Sequence, residues 1–180
     1  MRRPLRLHPD QPCCAATHID VEVARSGAGL LVRYAVTGRI GELRIPPVTS
    51  AIRAQELWQT TCFEAFIRPS VEDGYYEFNF APSTQWAAYR FDAYRSGMRD
   101  VADFTAPRID VQSSAESFTL QASLALDRLP GLPRDVPWRL GLSALIEERS
   151  GRHSHWALAH PPGKADFHHS VCFAYEISPA

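Results

Sequence analysis

Glu64, Glu77 and Asn79 occupy one phase of two runs, Cys62 to Ile67 and Tyr75 to Phe80, whose other phase is apolar. Successive side chains of an extended chain point to opposite faces, so Cys62, Glu64 and Phe66 share one face while Phe63, Ala65 and Ile67 form the core face. In the second run Tyr76, Phe78 and Phe80 oppose Tyr75, Glu77 and Asn79. In a third run, Gln85 to Asp92, Ala87, Tyr89 and Phe91 oppose Trp86, Ala88, Arg90 and Asp92. Glu64, Glu77, Asn79, Trp86 and Arg90 are thus expected together on non-core faces, a polar patch with an aromatic platform. Carboxylates, amides and guanidinium groups bind hydroxyls while an aromatic face covers the apolar side of a sugar ring, so the patch suits a polyhydroxylated ligand. The same residues also read as cross-strand ion pairs on a half-wet sheet, with Asn79 capping the turn at Pro82. Two carboxylates further admit glycoside hydrolysis, but their separation across different strands is not legible from spacing, and binding ranks above catalysis.

A second set lies toward the C-terminus: His153, His155, His160, His168 and His169, with Asp166 and Cys172. His153 and His155 fall on one side of a strand, and the Pro161 to Ser170 loop could add a third ligand, His160 or His168, for zinc. No HExxH fixes a ligand trio, so structural or surface roles are the expectation and no metal is assigned. Haem ligation would need Met98, the one methionine besides the initiator, or one of these histidines. Cys62 and Cys172 sit in apolar strands, where an inert buried thiol is the default. Cys13 and Cys14 are adjacent and pair poorly with each other, and CxxC is absent, so reduced thiols are expected. The loop Pro161-Pro162-Gly163-Lys164 lacks GxxxxGK[ST] and opens no helix, which removes a P-loop.

The elements that must position these groups are strands. Ile19, Val21 and Val23, then Leu30, Val32, Tyr34 and Val36, alternate with polar residues around the Ser26-Gly27-Ala28-Gly29 turn, a hairpin pattern. Further strands are expected over 108–112, 117–126, 138–147, 154–159 and 171–177. Turn chemistry separates them, as at Pro46-Pro47, Glu72-Asp73-Gly74, Pro130-Gly131 and Pro161-Pro162-Gly163. No apolar stripe of 3.6-residue period is long enough for a core helix; segment 48–60 is expected to supply one short helical turn. Many short antiparallel strands around one core mean a sandwich or jelly roll, and without repeats or linkers residues 1–180 read as one domain.

Composition agrees. A chain of 180 residues, 45% hydrophobic and with net charge -1, can bury roughly 70% of its unfolded surface without staples. The charge balance gives no general attraction to nucleic acid, and no apolar run is long enough for a membrane helix. Arg2 and Arg3 start the chain as a signal peptide would, but Asp10, Gln11 and Pro12 stand where its apolar segment belongs, so a cytoplasmic location is expected. Lys164 is the only lysine.

The runs Leu57-Trp58-Gln59-Thr60-Thr61-Cys62-Phe63-Glu64-Ala65-Phe66, Tyr75 to Ser83, Gln85 to Phe91, and Trp156 to Lys164 with Asp166-Phe167-His168 together resemble the bacterial DOMON-like proteins. Those are similar to family 9 carbohydrate-binding modules, and the resemblance runs from about the first hairpin to the last strand. It implies an all-β, two-sheet antiparallel sandwich, jelly-roll-like, with a small-ligand site where loops meet one sheet. It further implies a non-enzymatic binder of a sugar or similar small polar ligand, with Trp58 and Trp156 as an aromatic clamp and Glu64, Glu77, Asn79 and Arg90 reading hydroxyls. Lys164 falls inside the last motif and joins the candidates, with Trp86 from the strand pattern. DOMON domains also bind haem, and haem is the alternative.

Overall fold

The computed structural model describes residues 2–11 and 15–179. Among them β1 (Arg2–Pro4), β3 (Ala16–Ser26), β4 (Gly29–Gly38), β9 (Arg108–Ser113) and β10 (Ser117–Ala125) form one antiparallel sheet in the order β1-β3-β4-β10-β9. The larger sheet contains β2 (Arg6–Leu7), β5 (Cys62–Pro69), β6 (Tyr75–Phe80), β7 (Trp86–Phe91), β8 (Arg99–Asp100), β11 (Trp138–Glu147) and β12 (His153–Ala157). Its order is β2-β12-β11-β5-β6-β7-β8, with β13 (Tyr175–Ile177) paired to β11. The two sheets face each other without closing into a barrel, which is the expected sandwich. No helix among the described residues is long and apolar enough to cross a membrane.

The core lies where the period-two pattern puts it. Ile19, Val21, Val32, Tyr34, Phe118 and Leu120 of the smaller sheet meet Phe63, Ala65, Ile67, Phe78, Phe80, Leu140 and Leu142 of the larger one, all buried. Phe63 stacks on Phe118 across the interface at 5.9 Å between ring centroids. Tyr34 also donates its hydroxyl to the Glu64 backbone carbonyl at 2.6 Å, tying the smaller sheet to a strand that carries the polar patch. A buried acceptor left without its donor costs about 1–3 kcal/mol, so Tyr34→Phe is expected to lower unfolding free energy by that amount in urea titration. An unchanged midpoint would remove this link between core and patch.

Three sequence expectations shift. Only Leu57–Gln59 of the 48–60 segment is helical, as a 3₁₀ turn. Its earlier part is held extended along β7 instead, Trp86 N–H donating to Ile52 at 3.2 Å and Ala54 N–H to Trp86 at 2.9 Å. The strand expected over 171–177 reduces to β13, because the His169 ring accepts from Val171 N–H and starts a 3₁₀ turn over Ser170–Cys172. The third concerns β7. Its pairing with β6 matches Phe80 with Trp86, Phe78 with Ala88 and Tyr76 with Arg90. Directly paired residues share a face, so Trp86 and Arg90 point inward with the core set, and Ala87, Tyr89 and Phe91 point outward.

Candidate functional site

The larger sheet has no wet face at its centre. Its outer surface carries a second apolar cluster, including Cys62, Phe66, Tyr75, Tyr89 and Phe91, covered by Leu57, Phe167 and Phe173 from the loops. Between those loops and the sheet lies a cavity of about 570 Å³. Its floor is Glu64, Glu77, Tyr89, Phe91, Leu145 and His155. Its walls come from Gln55, Glu56 and Trp58, from Arg95 and Met98, and from Ala165 to His168. This volume is within the range of small-molecule sites.

Period and register together set the floor. Glu64 pairs with Asn79 across β5 and β6, and Glu77 stands two residues along on the same face. Such diagonal neighbours are about 7–8 Å apart at the backbone, close enough for two carboxyl groups to interact. Glu64 is 4% exposed and Glu77 6%. Ser143, opposite Glu64 on β11, donates to its Oε2 at 3.3 Å, and Asn79 donates from Nδ2 to Glu77 Oε1 at 2.7 Å. Burial, with the Glu77 charge second, raises the Glu64 pKa above the ordinary carboxylate range. Burial raises Glu77 as well, partly offset by the bond from Asn79. The two therefore titrate as a pair.

His168 closes one side. The Tyr75 oxygen accepts from Arg95 N–H at 3.2 Å and shares a hydrogen bond with His168 Nδ1 at 2.9 Å, which leaves Nε2 on the side of the floor. That nitrogen faces Glu77 Oε2 at 3.6 Å. Burial, with Arg95 nearby, pulls His168 down to about 4, so it is neutral at ordinary pH. Arg95 reaches over the loop to Asp166, Nη2 to Oδ1 at 2.8 Å, and the Tyr94 hydroxyl bonds the other carboxylate oxygen. Against its partial burial, the bonds from Tyr94 and Arg95 hold Asp166 below the usual value.

The loops are under local constraint. Glu56 (φ 56°) and Arg95 (φ 52°) are two of three non-glycine residues in the left-handed region among the described residues, and both line the cavity. Such conformations cost about 1–3 kcal/mol each and cluster where a site needs a particular direction of the chain. Gly97, at φ 67°, completes the turn that carries Arg95 and Met98; a Cβ there would collide with the Asp92 carboxylate.

Trp58, Glu64 and Glu77 line the cavity together, and Trp58 is 49% exposed at its mouth. Asn79 lies fully buried behind the floor and orients Glu77. The structure separates the remaining candidates. Trp86 is 5% exposed on the inner face, with the Arg53 guanidinium over its ring at 4.6 Å. Arg90 lies over the Tyr76 ring at 4.8 Å and pairs with Glu72 at 3.3 Å. Trp156 is also 5% exposed in the core and donates to Ser154 Oγ at 3.1 Å, so it cannot clamp a ligand in this cavity. Lys164 is exposed on the loop just before Ala165 and does not line the cavity.

The histidines disperse. His153 approaches Glu147 at 3.8 Å, His160 donates to the Arg6 carbonyl at 2.8 Å, and His155 is bonded to Gln11. Among the described residues no three His, Cys, Asp or Glu side chains are grouped to hold a metal ion. Cys62 and Cys172 are free and buried. Burial, with Glu64 and Glu77 next, pushes the Cys62 thiol well up, and burial with Asp166 pushes Cys172 up to about 12. Cys13 and Cys14 lie outside the described residues.

Tyr89, Phe91, Arg95, Gln55 and Glu56 were not legible as site residues. Tyr89 and Phe91 carry the wrong phase for an outer face unless the β6–β7 register is known, and the other three sit in loops without periodicity.

No protein-family model and no curated protein matches the chain. Among solved structures, a candidate carbohydrate-binding protein from Bacteroides uniformis ATCC 8492 superposes with a TM-score of 0.68 at 14% identity, covering 95% of this chain and 83% of that one. A carbohydrate-binding module of family 9 from Caldicellulosiruptor kristjanssonii, solved with cellotriose, superposes with a TM-score of 0.51 at 14% identity, covering 91% and 74%. The chain shares with these structures the two-sheet antiparallel sandwich. At this identity the likeness concerns the sandwich; the site must be argued from this chain's own residues.

Proposed function

We propose that this protein is a non-catalytic, single-domain binder of carbohydrate, holding a saccharide in the cavity between Trp58 and the Glu64–Glu77 floor. The observation that carries this reading is the convergence, in one cavity, of a half-exposed tryptophan with buried hydroxyl-binding groups. Trp58 offers a ring face for the apolar side of a pyranose. Glu64, Glu77, His168 and Gln55 present acceptors and donors around it. Sandwiches of the same fold that are described as carbohydrate-binding support the class of ligand. Isothermal titration against a panel of mono- and oligosaccharides is expected to give saturable heat that a Trp58→Ala variant loses. Absence of heat with every saccharide overturns the reading.

The convergence of two buried carboxyls also favours a second reading, glycoside cleavage, since raised carboxyl pKa values are what a general acid requires. Release of reducing ends from the bound oligosaccharide would replace binding by turnover. Haem would need Met98 with His155 or His168, which line the same cavity. His168 is engaged by Tyr75 through Nδ1 and faces Glu77 through Nε2, so it fits haem poorly, whereas the Gln11 bond to His155 Nδ1 leaves that ring's Nε2 as the nitrogen for an axial bond.

A further inference from the structure

We propose that the saccharide this cavity selects is an amino sugar with an unsubstituted, protonated amino group, its ammonium seated between Glu64 and Glu77. This rests on the saccharide reading above and narrows it. Four carboxyl groups line the cavity, from Glu56, Glu64, Glu77 and Asp166, against one guanidinium, Arg95, and no lysine. Arg95 is committed to Asp166 through Nη2 at 2.8 Å, so those two charges largely cancel. His168 is neutral, and its Nε2 stands 3.6 Å from Glu77 Oε2, beyond a good hydrogen bond. The charge of Arg95 still favours ionised Glu64 and Glu77, but less than burial opposes it, and no other cationic side chain lines the cavity among the described residues.

Individual oxygens say the same. Glu64 has one bond, from Ser143 to Oε2, and Oε1 has no donor among the described residues. Glu77 is bonded at Oε1 only, by Asn79. A neutral hydroxyl can satisfy one such oxygen while the pair keeps its proton, whereas only a cation offsets the charge of the pair once both carboxyls ionise. An ammonium supplies three donors and a compensating charge, and it gains further from the rings of Tyr89 and Phe91 on the adjacent strand.

The proton balance follows. Without ligand the Glu64–Glu77 pair holds a proton at neutral pH, because burial and mutual repulsion disfavour two charges. Entry of a preformed ammonium lets both carboxyls ionise, and the displaced proton goes to solvent. The other charged or titratable groups around the pair, Arg95, Asp166, Tyr75, Tyr89, His155 and His168 with the buried Cys62 and Tyr34, take no part in this proton exchange.

Isothermal titration at pH 7 with glucosamine, galactosamine and mannosamine, their parent hexoses and their N-acetyl derivatives tests the idea. At least one amine is expected to bind about tenfold or more tighter than both its parent and its N-acetyl form, a difference one partly buried charge contact readily supplies. Repeating the titration in buffers of different ionisation enthalpy should show up to one proton released, and Glu64→Gln should collapse the amine-to-parent ratio. Parent hexoses binding as well as the amines, or amines binding without proton release, overturn the inference while leaving the saccharide reading in place. No binding by any saccharide overturns both.

Discussion

Glu64→Gln is expected to make the protein more stable than the parent at pH 8, by several kcal/mol, since burial and the Glu77 charge raise the Glu64 pKa to about 8 and each unit of elevation is worth about 1.4 kcal/mol. The advantage should vanish as the pH falls to 4. Glu64 is raised by burial and by Glu77, so between its unfolded and folded pKa values the native state holds the extra proton. Stability contributed by the pair therefore falls as pH rises through that window, and a neutral amide escapes the loss. The histidines act oppositely in an overlapping window. Burial pulls His155 and His168 down to about 4, so the unfolded chain holds more protons below its ordinary histidine pKa and stability falls as the solution is acidified. Wild type should thus have a flat stability profile near pH 5 to 6, whereas Glu64→Gln should rise with pH there. Urea titrations at pH 4, 6 and 8 read this directly. A difference between variant and wild type that does not change with pH would mean that Glu64 is not held protonated by burial. A gain in stability with loss of ligand is the behaviour expected where a fold carries unfavourable buried charge for recognition.

The second large effect separates two tryptophans that share a motif-level resemblance. Trp156→Ala is expected to cost about 3–5 kcal/mol, because the ring is enclosed between the sheets beside Ala144 and Leu7 and leaves a cavity when removed. Trp58→Ala should cost about 0.5 kcal/mol or less, its ring being half-exposed, and yet abolish saccharide binding. Thermal melts and titrations on both variants give four numbers with one predicted pattern: fold lost without Trp156, binding lost without Trp58. If Trp58→Ala melts as low as Trp156→Ala, its loss of binding would be secondary to unfolding and the cavity would lose its aromatic wall as an argument.

The alternation of residues along β5 and β6 already placed Glu64, Glu77 and Asn79 on one face, since side-chain direction in a strand is a local property of the backbone. It did not place Trp86 and Arg90. Every residue of β7 except Arg90 is buried, so both faces read as core and hydrophobicity cannot choose between them. The choice is made by the five residues between Phe80 and Trp86, which set the pairing register and keep even-numbered residues of both strands on the inner face. Trp156 misled for the same reason: β12 alternates Ser154 and Trp156 with His153, His155 and Ala157, so both phases mix polar and apolar residues and only pairing with β11 tells which faces the core.

By itself, then, the amino-acid sequence determined an all-β sandwich, its strand positions to within a few residues, most of its core, and a shared face for the two glutamates. These follow from period-two patterning and turn chemistry, which act over neighbouring residues. Tertiary structure alone decided that this face is roofed by loops instead of wetted, that Trp58 joins it while Trp86, Arg90 and Trp156 do not, and that Arg95, Asp166 and His168 complete it. Those facts depend on strand register and on contacts such as Tyr75 with His168, 93 residues apart, for which a chain carries no local signal.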